Sequence, residues 1–442
     1  MKRTLVVAIL ACLTLAPAGV RAGGLEHPDN GTVAVGRGGA FTAKADDLTA
    51  IQHNPAALMK SKSRFAVLVN DNLVLPRVRF DRIAWDYGTH DWFDFATAGV
   101  PNPVREGSGW FPLGLMGVVG SDLWTDDFMF AFGVYGPSGV GASDFPVDGA
   151  QKYVQVDRDI LMTYYTLSAV WGITPNLSLG VSLQWVDLPK LKYSVVIDGY
   201  FEQSYHPFRS NYDVLATIDA TDRFNVTAIL GLWYRPHPAV ELGLSGRVIP
   251  IWFKAKGKVS LEMLGLQVKP PDDCATTPGC HSYDLLKDGK PGANGMTLSF
   301  VLPPNLRAGA RYVHKRGDRE VFDVELDVVY EFWRMLDAFD VALDADQIRN
   351  YIKGGLTTSP LRDIRMVRSF KDSFSVRVGG DYNVIPDWLA VRAGLFYESP
   401  SARPEYTGID FTPFHRIGLG TGFTFKYKGF SFSAAYEHIF QP

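Results

Sequence analysis

Long apolar runs are missing from most of this chain. Past residue 22 nothing approaches the ~18 uninterrupted apolar residues that a spanning helix needs, which excludes a helical membrane protein for the remainder of the 442 residues. Charge of one sign is missing too: 44 Lys and Arg against 47 Asp and Glu leave a formal net charge of −3 with no Lys/Arg run, so no nucleic acid is expected as a partner. Cysteine is scarce, with three residues in all. Cys12 falls in the N-terminal leader, while Cys274 and Cys280 stand close together in KPPDDCATTPGCHSYD. His281 is adjacent, but a four-ligand set with metal spacing is lacking, and neither metal nor cofactor is expected. The nine histidines are scattered through predicted loops and strand ends, and no G-x-S-x-G stands at a strand-to-helix elbow. His206 and His281 lie beside serines without an evident third group, so an esterase or lipase is the least favoured function class and the chain is not expected to be an enzyme.

The leader itself is informative. Residues 1–22, MKRTLVVAILACLTLAPAGVRA, have Lys2 and Arg3, an apolar run from Leu5 to Leu15, and Val20-Arg21-Ala22 as a small-residue cleavage site. That is the anatomy of a secretory signal peptide, with the mature chain starting near Gly23; a lipoprotein cut at Cys12 would leave only a stub of the apolar segment. An exported chain meets oxidising surroundings, so Cys274 and Cys280 are expected to close a small disulfide loop.

What the chain does have is aromatic residues (13%), glycine (43 residues) and a period of two. In LSLGVSLQW (Leu177 to Trp185) every odd position is apolar and every even one small or polar. Successive strand side chains point to opposite faces, so this segment has one greasy and one polar side. The pattern recurs and predicts thirteen strands, near 64–74, 112–120, 126–136, 156–172, 176–190, 222–235, 239–260, 296–314, 318–335, 366–383, 388–398, 412–426 and 429–440. Tight turns such as Lys315-Arg316-Gly317-Asp318 and Lys426-Tyr427-Lys428-Gly429 alternate with long polar excursions near 75–110, 190–220, 263–295 and 337–368. Short turns at one end and long loops at the other are the arrangement of an outer-membrane barrel, whose single-chain bacterial forms have an even strand number. Either one strand escapes the pattern or a closing strand is absent from the chain.

The polar face carries both signs of charge in mid-strand, as in Arg307, Arg311, Asp323, Glu325, Asp327, Arg377, Asp381, Arg392 and Arg416. A sandwich core has no room for them, whereas a barrel lumen does. An odd-residue hairpin loop around Gly317 would set Arg311 opposite Asp323 and Arg307 opposite Asp327. Arg307, Arg377 and Arg392 are candidates to hold a carboxylate in the lumen, with pairing to lumen acids as the plainer alternative. Trp171, Trp185, Trp233, Tyr234, Trp388 and Tyr427 fall near strand ends, where an interfacial belt would sit; filling of a core is the alternative.

Two stretches break the β pattern. ADDLTAIQHNPAAL, Ala45 to Leu58, opens like a short helix and meets Asn54-Pro55, which should stop it. The strand at 126–135 runs into Tyr135-Gly136-Pro137-Ser138-Gly139, where proline cannot donate a ladder hydrogen bond and glycine permits a bend. Pairing should fail there, although a proline at an ordinary strand end reads the same way.

The segments GRGGAFTAKADDLTAIQHNPAAL, LPPNLRAGARYVHKRGDREVFDVELDVVYEFW (Leu302 to Trp333), VRVGGDYNVIPDWLAVRAGLFYESP and FTPFHRIGLGTGFTFKY resemble, in order, the FadL-type outer-membrane transport proteins, which include long-chain fatty-acid and aromatic-hydrocarbon channels. The resemblance implies an all-β, 14-stranded transmembrane antiparallel barrel over residues 61–442, closed by an N-terminal hatch, residues 23–60, that folds into the lumen. Ala45 to Gln52 would be a hatch helix with Asp46, beside Asp47, in its favoured first turn. Asn54, Pro55 and Ala56 would turn the chain out of the plug, and the end near Gly23, Gly24 and Leu25 would move in gating. It further implies a monomer in the outer membrane, in contact with outer-membrane lipid, that takes up a hydrophobic small molecule passively and releases it sideways beside the kinked third strand. A surface-binding, adhesive barrel is the alternative, and a stiffened loop at 263–295 would suit it.

Overall fold

The computed structural model describes residues 30–61, 65–75, 79–86, 91–94, 104–105, 111–121, 127–137, 141–198, 213–264, 283–352, 355–403, 406, 408–409 and 415–440. Two short helices come first, α1 (Thr32–Gly36) and α2 (Ala50–His53), followed by a 3-10 helix, Pro55–Lys60. No helix among the described residues is long and apolar enough to cross a membrane.

Thirteen staves of one antiparallel sheet follow. They are β1 (Phe65–Val74), β2 (Phe111–Ser121), β3 (Phe128–Tyr135, resumed at Ala142–Asp144), β4 (Asp157–Thr174), β5 (Leu177–Asp198) and β6 (Asp213–His237). Next come β7 (Val240–Arg247 and Ile251–Met263), β8 (Gly295–Leu302 and Asn305–Arg316) and β9 (Arg319–Glu331 and Ala338–Leu343). The last are β10 (Ile364–Val367 and Ser373–Ile385), β11 (Leu389–Glu398), β12 (Arg416–Tyr427) and β13 (Phe430–Phe440). Each pairs with its neighbour in chain order, so the wall is an up-and-down meander. With thirteen alternating staves β13 runs in the same direction as β1, and among the described residues no ladder joins the two.

The sheet is inside-out relative to a water-soluble protein. On β9, Val324, Leu326 and Val328 are about half exposed, whereas Asp323, Glu325 and Asp327 between them are buried. The same inversion holds on β8, with Leu306 and Tyr312 outward and Arg307 and Arg311 inward. Outward apolar and inward charged side chains are what a lipid exterior and an enclosed interior demand. Inside, Phe41, Leu48, Ile51 and Leu58 of the N-terminal segment pack against Tyr135, Leu188, Phe253 and Phe300 of the wall, forming the core.

Three expectations need correcting. The excursion read at 190–220 is strand on both flanks, since β5 runs to Asp198 and β6 starts at Asp213. Likewise 337–368 is largely strand, and Tyr283–Lys287 pairs with Gln347–Ile352 in a separate four-stranded sheet of the long connections. Here the outward positions turn polar, as with exposed Lys190 and Asp219, while Leu191, Val196, Val214 and Ala220 stay buried, and register irregularities between Val186 and Leu191 interrupt the alternation although the strand continues. The hairpin register also differs: Arg316 stands opposite Arg319 across a two-residue turn, and a bulge beyond His314 shifts the pairing. Arg311 thus faces Glu325, Gly309 faces Asp327 and Arg307 faces Val329. Finally, Trp171, Trp185, Tyr234, Trp388 and Tyr427 are outward, but Trp233 is 5% exposed and takes the Lys60 ammonium 5.5 Å over its ring, so it belongs to the interior and not to the belt. Cys274 and Cys280 lie outside the described residues.

Candidate functional site: the plug, its seat and a break in the wall

Residues 30–61 are enclosed by the wall and almost wholly buried. Their backbone lies so close to the inner face that side chains are excluded there. A Cβ on Gly180 of β5 would stand 2.4 Å from the Ala56 nitrogen, and one on Gly231, its register partner on β6, 2.3 Å from Asn54 Oδ1. The paired Gly243 and Gly309 take Thr42 and Ala43 in the same way, and the paired Gly379 and Gly394 take the Arg37 carbonyl, at 2.1 and 2.0 Å from a Cβ. Three glycine pairs on six staves are therefore the seat on which the plug lies. The Asn54-Pro55-Ala56 turn is part of this fit. Asn54 Nδ2 donates to the carbonyls of Thr42 (2.9 Å) and Leu232 (3.1 Å), and its Oδ1 accepts from the Ala56 amide (3.2 Å), which caps the 3-10 helix at Pro55. The chain thus enters the 3-10 helix before reaching β1.

The flank facing β8, β9 and β10 is ionic. Arg37 Nη1 donates to Asp323 (2.7 Å) and Asp381 (2.8 Å), and Nη2 to Glu325 (3.1 Å), with Arg37 fully buried. Burial disfavours the guanidinium charge, but the three carboxylates outweigh it and hold its pKa above the ordinary value. Glu325 and Asp327 also accept plug backbone amides: Phe41 and Thr42 donate to Asp327 Oδ2 at 2.9 and 2.8 Å, and Ala43 to Glu325 Oε1 at 2.6 Å. Lys60 donates to Glu241 of β7 at 2.6 Å, and Arg311 bridges Glu241 and Asp323 at 2.9 and 3.0 Å. These are charge-assisted bonds in a dry setting, the strong class of hydrogen bond.

Asp46 and Asp47 divide differently from expectation. The α-helix is one turn, Ala50–His53, and Asp46 pairs with Lys44 at 3.1 Å. Asp47 makes the local contact, its Oδ1 accepting from the Thr49 amide at 2.8 Å and from the Thr49 hydroxyl. Burial, with the neighbouring Asp46 charge, pushes the Asp47 carboxyl up to about 6 against those hydrogen bonds.

The flank facing β1 and β3 is neutral. Asn30 Nδ2 donates to the Gly136 carbonyl at 3.1 Å, its Oδ1 accepts from Asn72 Nδ2 at 3.0 Å, and its carbonyl meets His53 Nε2 at 2.9 Å. The Thr32 amide donates to Asn70 Oδ1 at 2.8 Å, beside a bulge of β1 between Asn70 and Asn72. Gly136 lies just past the last β2–β3 pair among the described residues. The β2–β3 ladder ends at Gly117↔Val134, β3 stops at Tyr135, and its resumption at Ala142–Asp144 pairs only with β4. The upper half of β2, from Phe111 to Met116, consequently has β1 on one side and no ladder to β3 on the other among the described residues. Tyr135 is the last residue of β3, and Gly136 and Pro137 follow it; Ser138 and Gly139 lie outside the described residues, as do Gly23, Gly24 and Leu25.

A narrow cleft opens on the inner side of the break. It is small and lined by Gln52 of the plug, Tyr135, Pro137, Tyr164 and Ile229, and by Ser245, Arg247, Asn305 and Arg307. Tyr135 and Tyr164 meet edge to face at 5.5 Å, and the Arg247 guanidinium lies 5.7 Å over the Tyr164 ring. Two cations, an aromatic pair and amide groups thus meet at one place. Of the three arginines singled out in the sequence, only Arg307 reaches this cleft. Arg392 is taken up by Thr424 and by Asp381 at 3.5 Å with Gly36 of the plug against its side chain, and Arg377 Nε donates to Ser375 at 3.1 Å. Arg247 was not legible as its partner, because it sits at the end of a strand repeat where the alternation gives no hint of a cleft. Among the described residues no group of His, Cys, Asp and Glu is arranged to hold a metal ion.

The chain matches the model of a family described as outer membrane protein transport protein (OMPP1/FadL/TodX) over residues 13–441. Among solved structures it is similar to a FadL homologue of Pseudomonas aeruginosa, at 18% identity and TM-score 0.66, covering 96% of this chain and 92% of that one. It is also similar to the toluene transporter TbuX of Ralstonia pickettii (14% identity, TM-score 0.58, 94% and 97% covered) and the toluene transporter TodX of P. putida (15% identity, TM-score 0.61, 93% and 92% covered). No curated protein matches it.

Proposed function

The chain belongs to the OMPP1/FadL/TodX family of outer-membrane transport barrels, a family of channels and not of enzymes, and from that premise we propose that it carries hydrophobic small molecules inward by a plug-gated route with lateral exit. A greasy solute gains nothing from a wet pore, since its burial is what lowers its free energy. In the proposed route the molecule passes into the cleft beneath the plug, its polar end against Arg247 and Arg307, and leaves between β2 and β3 into the bilayer. One observation carries this reading: Tyr135 and Pro137 line the cleft and also flank the place where the β2–β3 ladder ends. Cavity and wall defect are thus the two sides of one element. The paired arginines favour a long-chain acid over a neutral alkylbenzene, because an anion gains charge-assisted bonds there that a hydrocarbon cannot make.

The test is uptake of a labelled long-chain fatty acid and, in parallel, a labelled alkylbenzene by cells lacking such a channel. The intact protein should favour the acid. Pro137→Ala should slow uptake of both, whereas Arg247→Gln with Arg307→Gln should slow the acid alone. No uptake of either solute by barrels inserted in the outer membrane would overturn the transport reading, and equal loss of both solutes in the arginine variant would overturn the acid preference.

A further inference from the structure

The outward face of β7 departs from its surroundings in a way that transport does not require. Its outward positions read Trp252, Lys254, Lys256 and Lys258, all exposed. The height of this row is fixed by register. Thr221 and Asp219 of β6 stand opposite Lys256 and Lys258, which puts Trp252 level with Phe224 and Asn225. Phe224 (73% exposed) and Trp185 (42%) form the upper aromatic belt, their rings 6.4 Å apart, and Tyr234 (42%) marks the lower one. Ten residues of tilted strand between Tyr234 and Phe224 span roughly 25 Å, the height of the apolar band of such barrels. The three lysines therefore begin one outward position above the apolar band, at the headgroup level of the outer leaflet.

Several other charges at this level are paired. Lys192 bonds Asp157 at 2.7 Å, Lys190 bonds Asp159, and Arg223 bonds Asp187 at 2.6 Å. Lys254, Lys256 and Lys258 have no carboxylate within ion-pair distance among the described residues. Asp219 stands opposite Lys258, and Asp344 comes close to Gly295 on its other side; Lys256 lies between Thr221 and Thr297, and Lys254 lies beside Ser299 on β8 and on the β6 side near Asp222, whose carboxylate accepts from the Lys254 backbone amide at 2.7 Å. We propose that Trp252, Lys254, Lys256 and Lys258 are a docking site for the phosphorylated glycolipid of the outer leaflet, the lysines meeting its phosphates and Trp252 its acyl boundary. Lysine stems can lie along apolar surface while their ammonium groups rise to a phosphate layer, and a row spaced at every second residue presents several charges to one multiply phosphorylated headgroup. Neither the plug nor the cleft enters this argument.

The test uses the full barrel reconstituted with vesicles of phosphatidylcholine containing lipid A, or lipid A stripped of its phosphates, followed by detergent extraction and quantification of retained lipid A by mass spectrometry. The intact protein should retain lipid A several-fold above the dephosphorylated form, and less at high salt. Lys254→Gln/Lys256→Gln/Lys258→Gln should abolish that excess, while Lys315→Gln/Arg316→Gln/Lys428→Gln, with the same charge change at the short-turn end, should keep it. Equal retention by the two triple variants, or equal retention of both lipid forms by the intact protein, would overturn the proposal. Inorganic phosphate that displaces lipid A at equal phosphate concentration would also overturn it, by showing a site for the free anion. If the triple variant fails to insert, as judged by heat-modifiable migration, Lys256→Gln alone serves, with a partial loss expected.

Discussion

The two flanks of the plug are held by different chemistry. Toward β8, β9 and β10, Arg37 is locked to Asp323, Asp381 and Glu325, and four successive amides from Phe41 to Lys44 donate to Asp327 and Glu325. Toward β1 and β3 the bonds among the described residues are neutral, through Asn30, Thr32, Asn70 and Asn72. Hydrogen bonds to charged groups contribute about 1.5–3 kcal/mol each and neutral ones about 0.5–1.5, so the second flank is the cheaper one to release. It is also the flank that touches Gly136, where the wall is broken. A plug hinged on its ionic side and freed on its amide side would uncover the cleft without being expelled.

The strongest way to break this comparison is to remove Arg37. Arg37→Leu leaves three buried carboxylates facing one another and should cost about 3–5 kcal/mol, seen as a lower midpoint of heat unfolding and as protease access to residues 30–61. Gly394→Ala attacks the same flank sterically, because a Cβ there would stand 2.0 Å from the Arg37 carbonyl with backbone on both sides. Reduced plug protection with the barrel still inserted is the expected result; an unchanged plug would show that the seat yields.

Asn30→Ala, on the amide flank, should cost about 1 kcal/mol and leave the unfolding midpoint nearly unchanged. Its expected signature is a faster rate of solute entry, with Asn30→Gln partly restoring the intact behaviour. A fall in stability as large as that of Arg37→Leu would erase the distinction between the flanks.

The smallest effect concerns pH. The Asp47 carboxyl titrates near 6 in the folded protein against an ordinary value of 3.8, so between those values the native state holds a proton that the unfolded chain has lost. Its contribution therefore declines as pH rises through this window and is fully lost above about 6. Asp47→Asn should be slightly more stable than the intact protein at pH 7.5 and indistinguishable from it near pH 4; parallel heat-unfolding midpoints across that range would show that Asp47 is not the group involved.

Much of this molecule is local in origin. Alternation in segments such as Leu177 to Trp185 reveals strand, face and count, and thirteen staves stand near the places that alternation predicts. Where the outward face turns polar just past the register irregularities between Val186 and Leu191, alternation breaks and the strand to Asp198 reads as a loop. The helix at Ala45 to Gln52 was overestimated for a related reason. Asp47 accepts from the Thr49 amide and Asp46 is drawn to Lys44, local bonds that compete with a helical start, so only Ala50–His53 closes a turn. The inward glycines were present all along as a mid-strand anomaly, and strand interiors that give up a side chain to pack are a sign that another backbone approaches.

The sequence by itself determined the period of two, the inverted faces, the tight turns and the proline that ends β3, because each depends on residues within a few positions of one another. The tertiary structure alone decided which charges meet. Arg37 and Asp323 are 286 positions apart, a bulge near His314 sets Arg311 opposite Glu325 although its guanidinium bonds Asp323 and Glu241, and Arg247 and Arg307 meet at the cleft from neighbouring staves 60 positions apart in the chain. A register shift of two residues leaves a hydrophobic pattern intact while exchanging every partner across the strands, and so the chemistry of the interior is written in the pairing and not in the pattern.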